Sequence, residues 1–485
     1  MADSRNYALK FLIKFNKKVY KKINWQSNLT LFIISLLVSF GGLFLFRDDS
    51  FTLAQSNVMF ILFFAIALWV TEAIPPFAVG ILIIGFLVFS MGYQEAEDVK
   101  QYVQTWSDSV IWLFLGGFFL AEGMKKTKLD ISLLKAAVPL LGNRPKYILL
   151  GLMMITGILS MLMSNTATTA MMIATIAPIT AKFGNKAAIT KSLLIGIPTA
   201  AAVGGMGTII GTAPNAIAVG ALEGAGISIS FLEWMVIGMP SALLMIFIFW
   251  RALLFKYKFK AKEISLDFLL KQENDDENKE DDSHHEKINK RIMMTVLIIT
   301  LIFWLTSQWT GIPVAAVSGI PIVGLTMLGI IDQDDVRQLP WDTLMLVAGG
   351  LALGLAVQQY GLADYFIGLI AFKQLNIYLL YLIFGLVTVI LSNIMSNTAT
   401  ATIMIPISIS LVQLNNLGSP AVMVAIIALS ASCALLLPVS TPPNAIAFST
   451  GMLEQKDFRF GGILLGVLGP ILVILLVLAT ISIIL

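Results

Sequence analysis

An all-α polytopic membrane protein of about 11 transmembrane helices is predicted by three features of the sequence. The 485-residue chain is 57% hydrophobic and only 13% charged, with a mean hydropathy of +0.86, far more apolar than a soluble domain of its size. Its uncharged segments repeatedly approach or exceed the ~20 residues a helix needs to cross a bilayer. One phrase, Ser164-Asn165-Thr166-Ala167-Thr168, recurs as Ser396-Asn397-Thr398-Ala399-Thr400 within such segments. Amide and hydroxyl groups are costly there, so their placement points to a binding site.

The 37 glycines and 17 prolines fit broken and closely packed membrane helices. A lone Cys433 leaves no internal disulfide framework and no cysteine metal cluster. His284 and His285 sit in one acidic loop, which excludes ordinary histidine acid-base chemistry inside the membrane.

Residues 1–27 carry Arg5, Lys10, Lys14, Lys17, Lys18, Lys21 and Lys22 among apolar residues, and run straight into a full-length span. This is either a basic amphipathic leader on the anionic inner leaflet or a solvated basic tail. Spans follow at 28–46, 57–73, 75–92 and 107–124. The stretch 147–180 is centred on the first Ser-Asn-Thr and is basic at both ends, with Arg144 and Lys146 before it and Lys182, Lys186 and Lys191 after it. The positive-inside rule puts both ends in the cytoplasm. A re-entrant hairpin with a buried polar tip is preferred over two short spans. From Ser192 to Leu222 the chain is uncharged, and Gly204, Gly205, Gly207, Gly211 and Pro214 crowd its middle. That pattern predicts a helix broken within the membrane. A span at 231–250 precedes a polar linker, 251–291, which is acidic in the middle.

The second half repeats the first. Trp69-Val70-Thr71 matches Trp304-Leu305-Thr306, and Gly116-Gly117 matches Gly349-Gly350. The Ser-Asn-Thr phrases come next, and Thr212-Ala213-Pro214-Asn215 then matches Thr441-Pro442-Pro443-Asn444. Landmarks recurring in one order mean an internal duplication. Counting crossings from a cytoplasmic N-terminus leaves the C-terminus outside, with only Arg47, Lys100 and Lys373 of the 32 basic residues facing outward. No Lys or Arg lies near Asn415 and Asn416, so the second hairpin enters from outside and the repeat is inverted.

Two tips and two broken helices meeting near the midplane would gather the amides of Asn165, Asn215, Asn397 and Asn444 with several Ser and Thr hydroxyls. Helix N-termini suit an anion and helix C-termini a small cation. Two similar clusters related by pseudo-symmetry fit a ligand with an acceptor group at each end, such as a short dicarboxylate. The alternative is that these residues simply glue helices together.

The paired Ser-Asn-Thr phrases, the paired Thr-x-Pro-Asn segments and Thr71-Glu72-Ala73-Ile74-Pro75 resemble the divalent anion:sodium symporter family from about residue 28 to the end. The resemblance implies a homodimeric elevator-type transporter of the cell membrane, without nucleic-acid partners and with sodium as the coupling ion in place of any cofactor. It divides the chain into scaffold halves at 28–145 and 292–374 and transport halves at 146–250 and 375–485. Carried over by position, it assigns substrate contacts to Asn165, Thr166, Thr212, Ser396, Asn397, Thr398, Thr441 and Pro442. It assigns one cation site to Ser160, Ser164, Asn165 and Gly211, and a second to Ser392, Met395, Asn397 and Ser440. Two departures stand out: Ala213 where the second copy has Pro442, and Ser440 where a smaller residue is expected. Glu72, an acid within a span, reads as a scaffold residue outside the substrate site.

The expected substrates are C4 or C5 dicarboxylates such as succinate, malate, fumarate or 2-oxoglutarate, moved by sodium symport or by exchange. Citrate or sulfate is the alternative. An intramembrane serine hydrolase using Ser164 or Ser396 lacks a nearby base, and an open channel fits two inverted broken-helix units less well than alternating access.

Overall fold

A computed structural model describes residues 25–92, 99–259, 263–264, 266, 280–368, 376–415 and 417–484. The basic leader to residue 24, Lys373 and Asn416 lie outside the described residues. Every regular element among those described is helical. The principal helices of the first half are α1 (Trp25–Phe46), α2 (Leu53–Thr71), α3 (Pro76–Met91), α4 (Ser109–Lys126), α5 (Pro145–Ser160), α6 (Asn165–Phe183), α7 (Ala188–Gly204), α8 (Ala213–Gly224) and α9 (Phe231–Lys256). Those of the second are α10 (Glu280–Leu305), α11 (Gly319–Met327), α12 (Trp341–Gln359), α13 (Ile377–Ile394), α14 (Asn397–Asn415), α15 (Pro420–Ala431), α16 (Pro442–Ser449) and α17 (Gln455–Ile484).

Local sequence sets many of these boundaries. Capping boxes start α2 (Thr52 with Gln55) and α9 (Ser230 with Glu233). Proline in the first turn, where its missing N–H costs nothing, opens α3, α5, α8, α15 and α16. Eight helices are long and apolar enough to cross a membrane, and four shorter apolar helices accompany them. The expected count of about 11 spans includes α4, which carries Glu122, Lys125 and Lys126 and is not among those eight.

Packing follows the duplication. Helix α7 lies against α5, α6 and α9, as α15 lies against α13, α14 and α17. The short helices cross over: α8 packs on α14 and α15, and α16 on α6 and α7. The earlier helices of each half do the same, with α3 against α12 and α11 against α4. Small residues make both crossings close. A Cβ on Gly349 would stand 2.3 Å from Gly80 Cα, and one on Gly116 would stand 2.7 Å from Ser318 Cβ. Gly80 and Ser318 hold the same place after the capping prolines Pro75 and Pro313. One feature breaks the reciprocity. Helices α8 and α14 pack against α12, and α8 also against α4, while α6 and α16 make no comparable packing against α4 or α12 among the described residues.

Three boundaries differ from the sequence expectation. Helix α2 ends at Thr71, and Glu72 takes the left-handed conformation (φ 50°) as its C-cap, exposed in the turn before α3 instead of inside a span. The linker is shorter than 251–291, because α9 runs on to Lys256 and α10 starts at Glu280. Of the residues described between them, Ile264 N donates to Asn143 O (2.9 Å), and the Ile264 and Leu266 side chains are buried. Ion pairs brace the helix ends across the halves. Lys191 at the start of α7 bonds Asp457 in α17 (3.0 Å). Lys126 donates to Asp332 (2.7 Å) and to Asp335, and that bond holds the Asp332 carboxyl down at about 2.

Because the Gly80–Gly349 crossing has no room for a methyl group, Gly349→Ala should destabilise the detergent-solubilised protein by about 1–3 kcal/mol through overpacking. Gly319→Ala, where a Cβ meets nothing within 4 Å, is the control expected to leave stability unchanged or slightly raised. Thermal unfolding followed by size-exclusion chromatography compares the two.

Candidate functional site

The first half gathers its motif residues at the break between α7 and α8. The turn joining α5 to α6 occupies residues 161–164, and Ser164 caps α6 by accepting from Ala167 N (3.2 Å). Ser160, fully buried at the end of α5, offers its hydroxyl to Asn165 Oδ1 (2.6 Å) and to Ala201 O (2.8 Å). Asn165 in turn lies over Gly205, where an added Cβ would come within 2.7 Å of its Oδ1 and 2.9 Å of Gly211 O. Ser160, Asn165 and Gly211 are thereby brought together, while the Ser164 side chain is exposed and used as a cap.

What holds the interrupted backbone is Asn215. Its Nδ2, wholly buried, donates to Gly205 O (3.0 Å) and Thr208 O (2.8 Å), so carbonyls freed by the break find a donor inside the protein. Thr208 Oγ1 donates to Met161 O, latching the loop to the hairpin turn, and Trp234 Nε1 donates to Met206 O (3.1 Å).

The second half repeats this with changes. Ser396 caps α14 through Ala399 N (3.1 Å). Asn444 Nδ2 donates to Leu435 O (3.4 Å) and Leu437 O (3.2 Å), the counterparts of Met206 and Thr208. Asn393, which the sequence reading passed over, ties the hairpin to the loop: its Oδ1 accepts from Leu436 N (3.0 Å) and Ser440 Oγ (2.9 Å). Its sequence signal is a polar residue three positions before the duplicated phrase where the other half has the apolar Met161. Ser392 Oγ and Asn397 Oδ1 are buried with no hydrogen-bond partner, and Met395 is buried beside them in sequence. Neutral oxygens in that state suit a hard cation, which takes hydroxyl, amide and carbonyl oxygen.

Of the candidate anion contacts, Thr166 and Pro442 are exposed, whereas Thr212, Ser396, Asn397 and Thr398 are half-buried. Thr441 is buried and accepts from Asn444 N (3.4 Å) as the cap of α16, which leaves its own O–H free to donate. Helices α6, α8, α14 and α16 start at Asn165, Ala213, Asn397 and Pro442; α6 and α14 offer the N–H groups of their first two residues, α8 that of Ala213 ahead of Pro214, and α16 none, because it opens on Pro442 and Pro443 and Asn444 N is bonded to Thr441 Oγ1. Among the described residues no hydrogen bond joins the first cluster to the second. A cavity of ≈ 110 Å³ lined in part by Asp108, Gly220, Leu351 and Gly354 contains none of the Ser-Asn-Thr residues, and its carboxylate disfavours an anion. No cluster of three or more His, Cys, Asp or Glu side chains able to hold a metal occurs among the described residues.

A family model described as the sodium:sulfate symporter transmembrane region matches residues 25–485. The sodium-dependent dicarboxylate transporter SdcS of Staphylococcus saprophyticus is 31% identical over 95% of this chain and 93% of its own length. SdcS of Staphylococcus aureus strain USA300 is 29% identical, covering 96% of this chain and 94% of its own.

Removing the amide that bridges the first break should leave two buried carbonyls without a donor. Asn215→Ala is expected to cost about 1–3 kcal/mol of stability, and Asn444→Ala, whose bonds are longer, less. Thermal unfolding of both variants in one detergent gives the order.

Proposed function

Because the chain belongs to the divalent anion:sodium symporter family, we propose that it carries C4 or C5 dicarboxylates across the cell membrane, coupled to sodium. The family and the named relatives are transporters, not enzymes, and Ser164 and Ser396 serve as helix caps, not as nucleophiles. The observation that carries the proposal is the pair of counterpart clusters, each combining a Ser-Asn-Thr helix start with a broken helix. Each cluster would bind one carboxylate through the N–H groups and hydroxyls at Asn165, Thr166 and Thr212, or at Ser396, Asn397, Thr398 and Thr441. Neutral donors let the dianion leave again. Sodium would sit on the oxygens of Ser160, Ser164, Asn165 and Gly211, and of Ser392, Met395, Asn397 and Ser440, reducing the repulsion that two carboxylates otherwise meet.

The one-sided packing supports alternating access. Helices α8 and α14 lie against α12, but their counterparts α16 and α6 do not lie comparably against α4. Exchanging the roles of the halves would give the opposite-facing state, in which residues 146–250 and 375–485 slide as a unit along 28–145 and 292–374. We further propose a homodimer, a cytoplasmic N-terminus and an external C-terminus.

Labelled succinate and 2-oxoglutarate uptake into proteoliposomes tests this. An inward sodium gradient should drive uptake into empty vesicles, and Asn165→Ala or Asn397→Ala should lower it about tenfold or more. Uptake that needs internal dicarboxylate and ignores sodium would make the protein an exchanger, and no uptake in either arrangement would reject the substrate class. The slide has its own test. A Cβ on Gly220 would stand 3.1 Å from Leu351 Cδ2 in this state, and the counterpart pair is Phe118 and Ser449. Cysteines at Phe118 and Ser449 should cross-link when sodium and substrate cycle the protein, with little interference from the fully buried Cys433. Failure to cross-link during turnover would rule out this motion.

A further inference from the structure

The two hairpin tips carry the same side chains in different hydrogen-bond states. Ser160 is bonded to Asn165, whereas the counterpart oxygens, Ser392 Oγ and Asn397 Oδ1, are buried without a partner. The cause lies in the adjoining loops. In the first, a Cβ on Gly211 would stand 2.4 Å from Gly205 O, so the turn closes this tightly only because both positions lack one. That closure sets Gly205 against the Asn165 amide. By the alignment of Thr212 with Thr441, the second loop has Ala434 and Ser440 at these places. Carrying Cβ atoms at both, it cannot adopt the same turn. Its position is set instead by Asn393, which receives Leu436 N and Ser440 Oγ on one oxygen while Ser440 Oγ accepts from Leu437 N (3.0 Å). Asn393 Nδ2 is anchored to Val389 O (2.9 Å) on its own helix. The first half has no such side chain: Met161 packs its thioether against Gly207 and contributes only its carbonyl.

We propose that the two cation sites are inequivalent, and that Asn393 is the positioning residue that keeps the second one open. This rests on the sodium-coupled function proposed above. At the first site Asn165 Oδ1 already accepts from the Ser160 hydroxyl, so an ion there relieves no unpaired acceptor. At the second, Ser392 and Asn397 present acceptors already desolvated and unpaired, so a cation relieves a cost the fold has already incurred. The second site therefore fills at the lower sodium concentration. One exchanged hydrogen bond corresponds to about tenfold in affinity.

Equilibrium binding of radioactive sodium to the purified full-length protein tests the assignment. The wild type should show two components about tenfold apart. Asn393→Leu, similar in size but without the acceptor, should weaken the tighter component about tenfold and leave the looser one in place. Asn393→Asp, which keeps the acceptor, should retain the tighter component. Ser160→Ala should alter the looser component only. If Asn393→Leu does not fold, Ser440→Gly provides an independent route, since it removes the clamp hydroxyl and a Cβ that holds the loop apart; it too should weaken the tighter component. Two equal sites, or a tighter component untouched by Asn393→Leu or Ser440→Gly, would overturn the proposal while leaving sodium coupling intact. A wild type that binds no sodium would overturn both.

Discussion

Breaking a helix inside hydrocarbon leaves backbone N–H and C=O groups that no solvent can reach, and the rest of this structure depends on how those groups are satisfied. Asn215 and Asn444 answer most of that need, each from the first turn of the helix that resumes the chain. With the break made tolerable, a helix can start again in mid-bundle, and at α8 the Ala213 N–H is left for a ligand. The Ser-Asn-Thr turns supply a second pair of such starts. On the proposed function the binding chemistry would be mainly backbone chemistry at α6 and α14, with Ser, Thr and Asn side chains deciding which groups stay free. A transporter gains from this, because neutral groups can hold an anion without a fixed charge that would retain it.

The paired motifs were legible in the sequence because they are anomalies, polar residues persisting twice where apolar ones are cheaper. The breaks at residues 205–211 and 432–441 were legible for the same reason, the first through its glycines and both through Thr-x-Pro-Asn. Less could be read of the helix ends. Glu72 looks like an acid in a span until the left-handed cap at φ 50° ends α2 one residue before it. The polar linker hid the anchoring of Ile264 and Leu266, since two apolar residues in a charged stretch carry no periodic signal. Nor could Asn393 be weighed: its importance lies in the Leu436 and Ser440 groups opposite it, which only the folded chain brings near.

The family explains why the duplicated halves resemble one another, but not why they differ in detail. Glycines at 205 and 211 against Ala434 and Ser440, and Met161 against Asn393, are small exchanges that alter the loops beside otherwise matching residues. They show how a duplicated site can diverge without losing the side chains that define it. Pseudo-symmetry fixes the inventory, and the loops set how each member of it is used.

The crossing of short helices between halves also bears on how the molecule is made. Helix α8 leaves the ribosome long before α14 and α15, on which it packs, and α6 waits likewise for α16. The first half therefore enters the bilayer with interior faces still lacking their final partners, including the glycine face of α3 that receives Gly349. Neither half covers all of its interior faces by itself. The crossing thus gives each half, within one chain, the complement it would otherwise have to find in a second copy of itself.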